Sequence, residues 1–197
     1  MTDLTINKGE TFQRVWRWET LPFVYSAITG ITKAAPAVIT SPSHGLVSGW
    51  RAGVISAGGM RQINAKKVPP RSSELHKVTF VSSSSISFNE IDSSRYTTYT
   101  SGGYLVSYTP VSLSGFAARM KIRATVESTG DPLVSLVSPT NIALDDTNHT
   151  ITVTIAATAT DDYDFATGVY DLELESGSGV VTRLDAGNVF VTEEVTR

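Results

Sequence analysis

The chain has 197 residues, 41% of them hydrophobic and 18% charged, no cysteine, and a formal net charge of −3. This is a globular composition, long enough for one large β domain or two small ones with separate cores. The missing cysteines exclude disulfide scaffolds, cysteine-based zinc sites and thiol catalysis, and the negative charge offers no bulk attraction to nucleic acid or anionic membranes.

The N-terminal Met1-Thr-Asp-Leu-Thr-Ile-Asn-Lys-Gly9 has no apolar core of signal-peptide length. No run approaches the ~18 apolar residues of a membrane helix. The expectation is a soluble protein made in the cytoplasm, with no membrane or nucleic-acid partner. Asn148-His-Thr150 matches a glycosylation pattern that has no meaning without secretion.

Leu4-Thr-Ile6 opens the chain as a short strand, turning at Asn7-Lys-Gly9 into the aromatic, β-branched Thr11–Trp18. Trp16 and Trp18 are expected in packing, with a bonded indole N–H. Leu21-Pro22 is expected to end this piece, and Phe23–Ile28 reads as a further short strand. Residues 30–108 differ in texture. Short apolar runs (Ala37–Thr40, Gly53–Ser56, Val78–Val81, Ile86–Phe88, Tyr104–Tyr108) alternate with turn signals such as Ser41-Pro42, Gly58-Gly59 and Gly102-Gly103. Short strands so spaced predict a small barrel or sandwich, with Ser82–Ser85 as a solvated turn.

From residue 113 on the alternation is cleaner. Phe116, Ala118, Met120, Ile122, Ala124 and Val126 fall on one face and Arg119, Lys121, Arg123, Thr125 and Glu127 on the other, the period of a half-buried strand. Further strands follow at 133–137, 142–144, 150–158 and 169–175, the last reaching a hairpin turn at Gly177-Ser-Gly179. Val180–Leu184 and Val189–Thr192 are expected as separate strands around a turn at Ala186-Gly-Asn188. One turn of helix is expected within 160–166.

No reaction centre is expected. The three histidines, His44, His76 and His149, lack triad or metal-ligand contexts. His44 reads as a turn histidine satisfying local backbone. The acidic groups Asp145-Asp146 and Asp161-Asp162 with Asp164 lie between strands, where Asp serves turn chemistry; a metal site at Asp161–Asp164 is the weaker alternative. The glycine pairs do not open a phosphate-binding helix. No cofactor and no metal is therefore expected.

Several motifs resemble a known group. Leu113-Ser-Gly-Phe-x-Ala-Arg-Met-x-Ile-Arg123, Thr150-Ile-Thr-Val-Thr-Ile155, Gly168-Val-Tyr-Asp-Leu-Glu-Leu174, Gly179-Val-Val-Thr-Arg-Leu-x-x-Gly187 and the final Glu194-Val-Thr-Arg197 resemble the Ig-like β-sandwich of collar, baseplate (upper protein-like) and fibre-attachment proteins of tailed bacteriophages. In that group an N-terminal piece like Leu4–Trp18 supplies the first strands. The stretch with Ile31-Thr-Lys-Ala, Pro36-Ala-Val-Ile-Thr, His44-Gly-Leu, Gly59-Met60, Ile63-Asn64 and Tyr99-Thr-Ser-Gly-Gly103 is similar to a small β-barrel module of phage virion proteins. It is also similar to the first catalytic-cysteine half-domain of ubiquitin-activating enzymes. Without a cysteine, no activity follows from that likeness.

The expected fold is all-β: an Ig-like β-sandwich from 1–29 and 109–197, with 30–108 inserted as a small β-barrel. The physical reason is that residues 1–29 hold too few strands to bury their own aromatics, while the later strands leave sheet edges open. The resemblance implies a non-enzymatic structural virion protein. It would assemble in several copies at the tail (collar, tip or baseplate) and contact neighbouring tail and fibre proteins. The candidate interaction surface is Arg119, Lys121 and Arg123 with Trp50 and Tyr99 as aromatic anchors. The alternative is a carbohydrate-binding module for host glycan, with Trp50, Tyr96, Tyr99 and Tyr104 as a stacking platform.

Overall fold

The computed structural model describes residues 2–193, so the Glu194-Val-Thr-Arg197 motif lies outside the described residues. In chain order its strands are β1 (Leu4–Asn7), β2 (Phe12–Trp16), β3 (Glu19–Ala27), β4 (Gly30–Ile31), β5 (Ala37–Thr40), β6 (Arg51–Ile55), β7 (His76–Ser82) and β8 (Ser85–Phe88). They continue with β9 (Tyr104–Pro110), β10 (Ala117–Arg123), β11 (Val134–Val137), β12 (Ile142–Asp145), β13 (Thr150–Ile155), β14 (Thr167–Glu175) and β15 (Val181–Thr192). A single short α-helix, α1 (Ala157–Asp161), and two 3-10 turns, Arg61–Ile63 and Ser72–Glu74, interrupt them among the described residues. The protein is all-β. Two compact units form: residues up to Trp18 together with those from Val111 on, and Glu19–Pro110.

The first unit is a sandwich. One sheet runs β1-β15-β14-β10-β11 and the other β12-β13-β2. With β2, β13 and β12 as strands B, E and D, and β10, β14 and β15 as C, F and G, this is the strand order of an immunoglobulin-type fold, β11 being the extra strand beside C. Period-two patterning explains why both sheets close on one core. Ala118, Met120 and Ile122 of β10, Tyr170, Leu172 and Leu174 of β14, and Ile151, Val153 and Ile155 of β13 point inward and are buried in one cluster. Each fully buried aliphatic side chain of this kind contributes about 1.5–3 kcal/mol.

The ends of these strands depart from the alternation. β10 stops at Arg123 and the chain turns, leaving Val126 80% exposed where the pattern put it inside. β13 stops at Ile155, and α1 starts earlier than expected, tied down by the Thr160 hydroxyl donating to the Glu10 carbonyl at 2.8 Å. The turn expected at 186–188 does not exist. β15 runs through it unbroken, with Gly187 opposite Tyr170. Gly187 serves close approach instead: a Cβ there would lie 2.4 Å from the Thr2 carbonyl oxygen. That clearance lets the N-terminal segment lie against β15, where β1 pairs in parallel from Leu4↔Val189 to Asn7↔Thr192.

A polar network sits at the margin of the sandwich core. The Trp16 indole N–H of β2 donates to Asp185 Oδ2 of β15 at 2.9 Å. The Tyr170 hydroxyl of β14 donates to the Thr2 carbonyl at 2.7 Å and lies 3.0 Å from the same carboxylate oxygen. The Trp16 and Tyr170 rings are 6.5 Å apart. In a chain without cysteine, this network links strands B and F, the pair that a disulfide joins in antibody domains.

The second unit has its own core, with Ile39, Trp50, Val54, Val78, Ile86, Phe88 and Leu105 buried together. Its strand order is β3-β9-β6-β7-β8-β5-β4, and all its strand pairs are antiparallel. β3 and β4 are consecutive pieces of one segment, 19–31. Residues 19–29 and 109–110, expected in the sandwich, belong here because β3 pairs with β9 from Glu19↔Pro110 to Ala27↔Tyr104. Leu21-Pro22 does not end the strand. The register slips between Thr20 and Phe23, and pairing resumes beyond it. The slip accommodates a proline that has no N–H to offer the ladder.

Candidate interaction surfaces

The outer face of β10 carries Arg119, Lys121 and Arg123 as the alternation requires. Opposite them in register on β14 stand Glu173, Asp171 and Val169. Arg119 is the best-held cation of the three. Its Nε donates to Glu173 Oε2 at 2.8 Å and its Nη1 to Glu175 Oε2 at 2.9 Å. The hydrogen bond and charge of Glu173, then Glu175, raise the already high guanidinium pKa further. Arg123 spends Nη1 on the Ser128 and Gly130 carbonyls, closing the turn after its own strand. These three side chains line a shallow trough with Asp171, Glu173 and Arg183. The face is a charge-paired sheet surface with both signs interleaved, not a basic patch.

Trp50 is removed from any surface. It is 1% exposed, in the middle of the second unit's core, so it cannot anchor a partner or stack on a ligand. Tyr99 is half committed. Its hydroxyl lies 3.0 Å from both the Ile28 and Gly102 carbonyls, and its ring packs against the core. Tyr96 also packs there. Of the four aromatics expected as a stacking platform, only Tyr104 is open to solvent, at 47%.

An aromatic row that the sequence reading does not single out lies elsewhere in the same unit. Phe23 and Tyr25 alternate on β3 and Tyr104 and Tyr108 on β9, so all four point to one face. The Phe23 and Tyr108 rings are 4.6 Å apart and those of Tyr25 and Tyr104 are 6.2 Å apart, edge to face. Tyr25 is 47% exposed. The ion pair of Arg51 with Glu19 joins β6 and β3 across β9. The Phe23-x-Tyr25 spacing was a usable signal, masked by the proline directly before it.

The titratable residues have local structural tasks. His44 is buried, its Nδ1 accepting the Leu46 N–H at 3.0 Å and its Nε2 donating to the Ser82 carbonyl at 2.9 Å. Both ring nitrogens thus serve backbone, in the neutral Nε2–H form. His76 lies 3.7 Å from Glu90, and His149 lies 3.9 Å from Asp146. Hydrogen bonds from Asn148 hold the Asp145 carboxyl low, and those from the Leu113 N–H and Ser112 do the same for Asp146. Among the described residues no three His, Asp or Glu side chains are grouped to hold a metal ion.

Comparison with protein-family models and with curated proteins finds no match to this chain.

Proposed function

We propose that this chain is a non-catalytic structural protein of a tailed-phage virion, in which an Ig-like sandwich serves as scaffold and the unit inserted in it serves as a second, separate contact module. The supporting observation is the neck between Trp18 and Val111. The chain leaves the sandwich after β2 and rejoins it before β10, and the two crossing points are hydrogen-bonded to each other at 2.9 Å. One loop of the sandwich therefore carries a whole unit without breaking either sheet. The likeness of the sandwich motifs to tail collar, baseplate and fibre-attachment proteins supplies the virion context. We read the inserted unit as a small closed barrel, since its ladder of strands begins and ends on the single segment 19–31.

The assembly chemistry would be burial of complementary surface, with strand addition at open sheet edges. The sandwich leaves β1 and β11 as the outer strands of the larger sheet and β12 and β2 as those of the smaller. β11, with the sequence Val-Ser-Leu-Val, carries no charge to repel a neighbouring strand. Gold-labelled antibody against the purified chain, applied to intact particles under negative stain, tests the proposal. Label at the tail in several copies supports it; particles free of both label and the chain's peptides by mass spectrometry rule it out.

A further inference from the structure

We infer that the aromatic face of β3 and β9 is a binding strip for a neutral saccharide. Tyr25 and Tyr104 serve as stacking surfaces, and the Arg51–Glu19 pair forms the polar end. The inference stands on the second unit alone and does not depend on the virion reading.

The four rings share one face of the β3–β9 pair, side by side along β3 and divided on β9 by the covered Val106. Phe23 and Tyr25 follow each other on one face of β3, and Tyr104 and Tyr108 bracket the same stretch of β9. From Tyr104 to Tyr108 the strand advances on the order of 13 Å, longer than one sugar ring. Between the two tyrosines Val106 shares the face and is fully buried, because the segment around Pro70 and Leu75 covers β6 at Gly53, its partner in register. The aromatic side chains beyond that cover stay open. Tyr25 and Tyr104 each leave nearly half their surface in water, side by side, as an aromatic pair open to a ligand.

Three properties select the ligand. The first is area. The two half-exposed tyrosines, at about 150–250 Å² per whole side chain, offer roughly 150–250 Å² between them and the part-buried Phe23 and Tyr108 add less, well short of the ~800 Å² per partner of a stable protein interface. A second copy or a globular partner is therefore undersupplied with surface here. The second is charge. Arg51 is already paired with Glu19, so this pair brings no net charge to the strip, and the nearest further cation, Lys77, stands beyond Arg51 on β7, away from Tyr25 and Tyr104. The third is chemistry at the rim. A pyranose has a flat C–H face that packs on an aromatic ring and a rim of hydroxyls that each need a donor or acceptor. The guanidinium of Arg51 supplies donors and the carboxylate of Glu19 supplies acceptors. The phenol oxygens border the rings, that of Tyr108 lying 3.5 Å from the Ser72 hydroxyl.

The test uses the full chain and a panel of neutral oligosaccharide probes: hexamers of glucose, xylose, mannose and N-acetylglucosamine, with sialyllactose as the acidic comparison. Saturation-transfer NMR detects binding, and titration calorimetry measures it. At least one neutral hexamer should bind, with Tyr25→Ala/Tyr104→Ala weakening it about tenfold or more and the melting temperature little changed. Tyr99→Phe, which leaves the strip intact, should bind as the unaltered chain does. The inference is overturned if no neutral hexamer binds at millimolar concentration, or if the double variant binds unchanged. Preference for sialyllactose also overturns it, as does self-association in sedimentation that the double variant abolishes.

Discussion

Val111 donates its backbone N–H to the Trp18 carbonyl at 2.9 Å, so the two points where the chain leaves and re-enters the sandwich are neighbours. This relationship makes a discontinuous domain workable. Closing the sandwich across that gap needs only a short connection, and the entropy of loop closure grows slowly with what is placed in the loop.

The Trp16–Asp185 bond is the second element on which the sandwich depends. Burial pushes the Asp185 carboxyl up, but the bonds from Trp16, the Ala186 N–H and Tyr170 outweigh it and hold the group low. A folded pKa below the unfolded one means the contribution is complete above the unfolded value and lost as pH falls through the folded one. Asp185→Ala should therefore destabilise the chain by about 1 kcal/mol at neutral pH, the carboxylate being partly solvated. The gap from the unaltered protein should narrow below ~pH 4. Urea unfolding of both proteins across that range measures it.

Gly187→Ala should loosen the N-terminal strand. Its Cβ would meet the Thr2 carbonyl oxygen, a backbone atom that can clear it only by moving Thr2 away from β15. Amide exchange should accelerate at Leu4–Asn7 relative to β13 and β14, and equal protection in the two proteins would show that the close approach does not matter.

The aromatic residues of the second unit should separate by burial. Trp50→Ala opens a cavity in a closed core and should cost about 3–5 kcal/mol, whereas Tyr104→Ala should change stability by less than about 1 kcal/mol. His44→Ala leaves a buried Leu46 N–H and the Ser82 carbonyl without their partner, and should cost about 1–3 kcal/mol. Chemical denaturation midpoints at constant m-value give all three.

Much of the sandwich was legible because its strands obey one rule. Met120, Ile122, Leu172 and Leu174 are inside and Arg119, Lys121, Asp171 and Glu173 are outside, as period two requires. Proline and glycine were harder to read, since each has two meanings. Pro22 looked like a terminator and sits at a register slip inside β3; Gly187 looked like a turn and provides clearance for a neighbouring backbone. Those two misreadings moved the domain boundary and split β15. The interaction residues were least legible. Trp50 follows a glycine in a polar stretch that suggests exposure, and only tertiary packing buries it. Arg119 looks free in sequence because Glu173 and Glu175, its partners, lie more than fifty residues away.

The central claim is that the sandwich is complete without the unit it carries. Deleting residues 19–110 and joining Trp18 to Val111 through a short Gly-Ser linker tests it directly. Circular dichroism with urea unfolding should show a soluble β protein with one cooperative transition, while 113–193 alone should be poorly soluble for want of β1 and β2. An excised chain that is unfolded, or a fragment 113–193 that folds well by itself, would contradict the account.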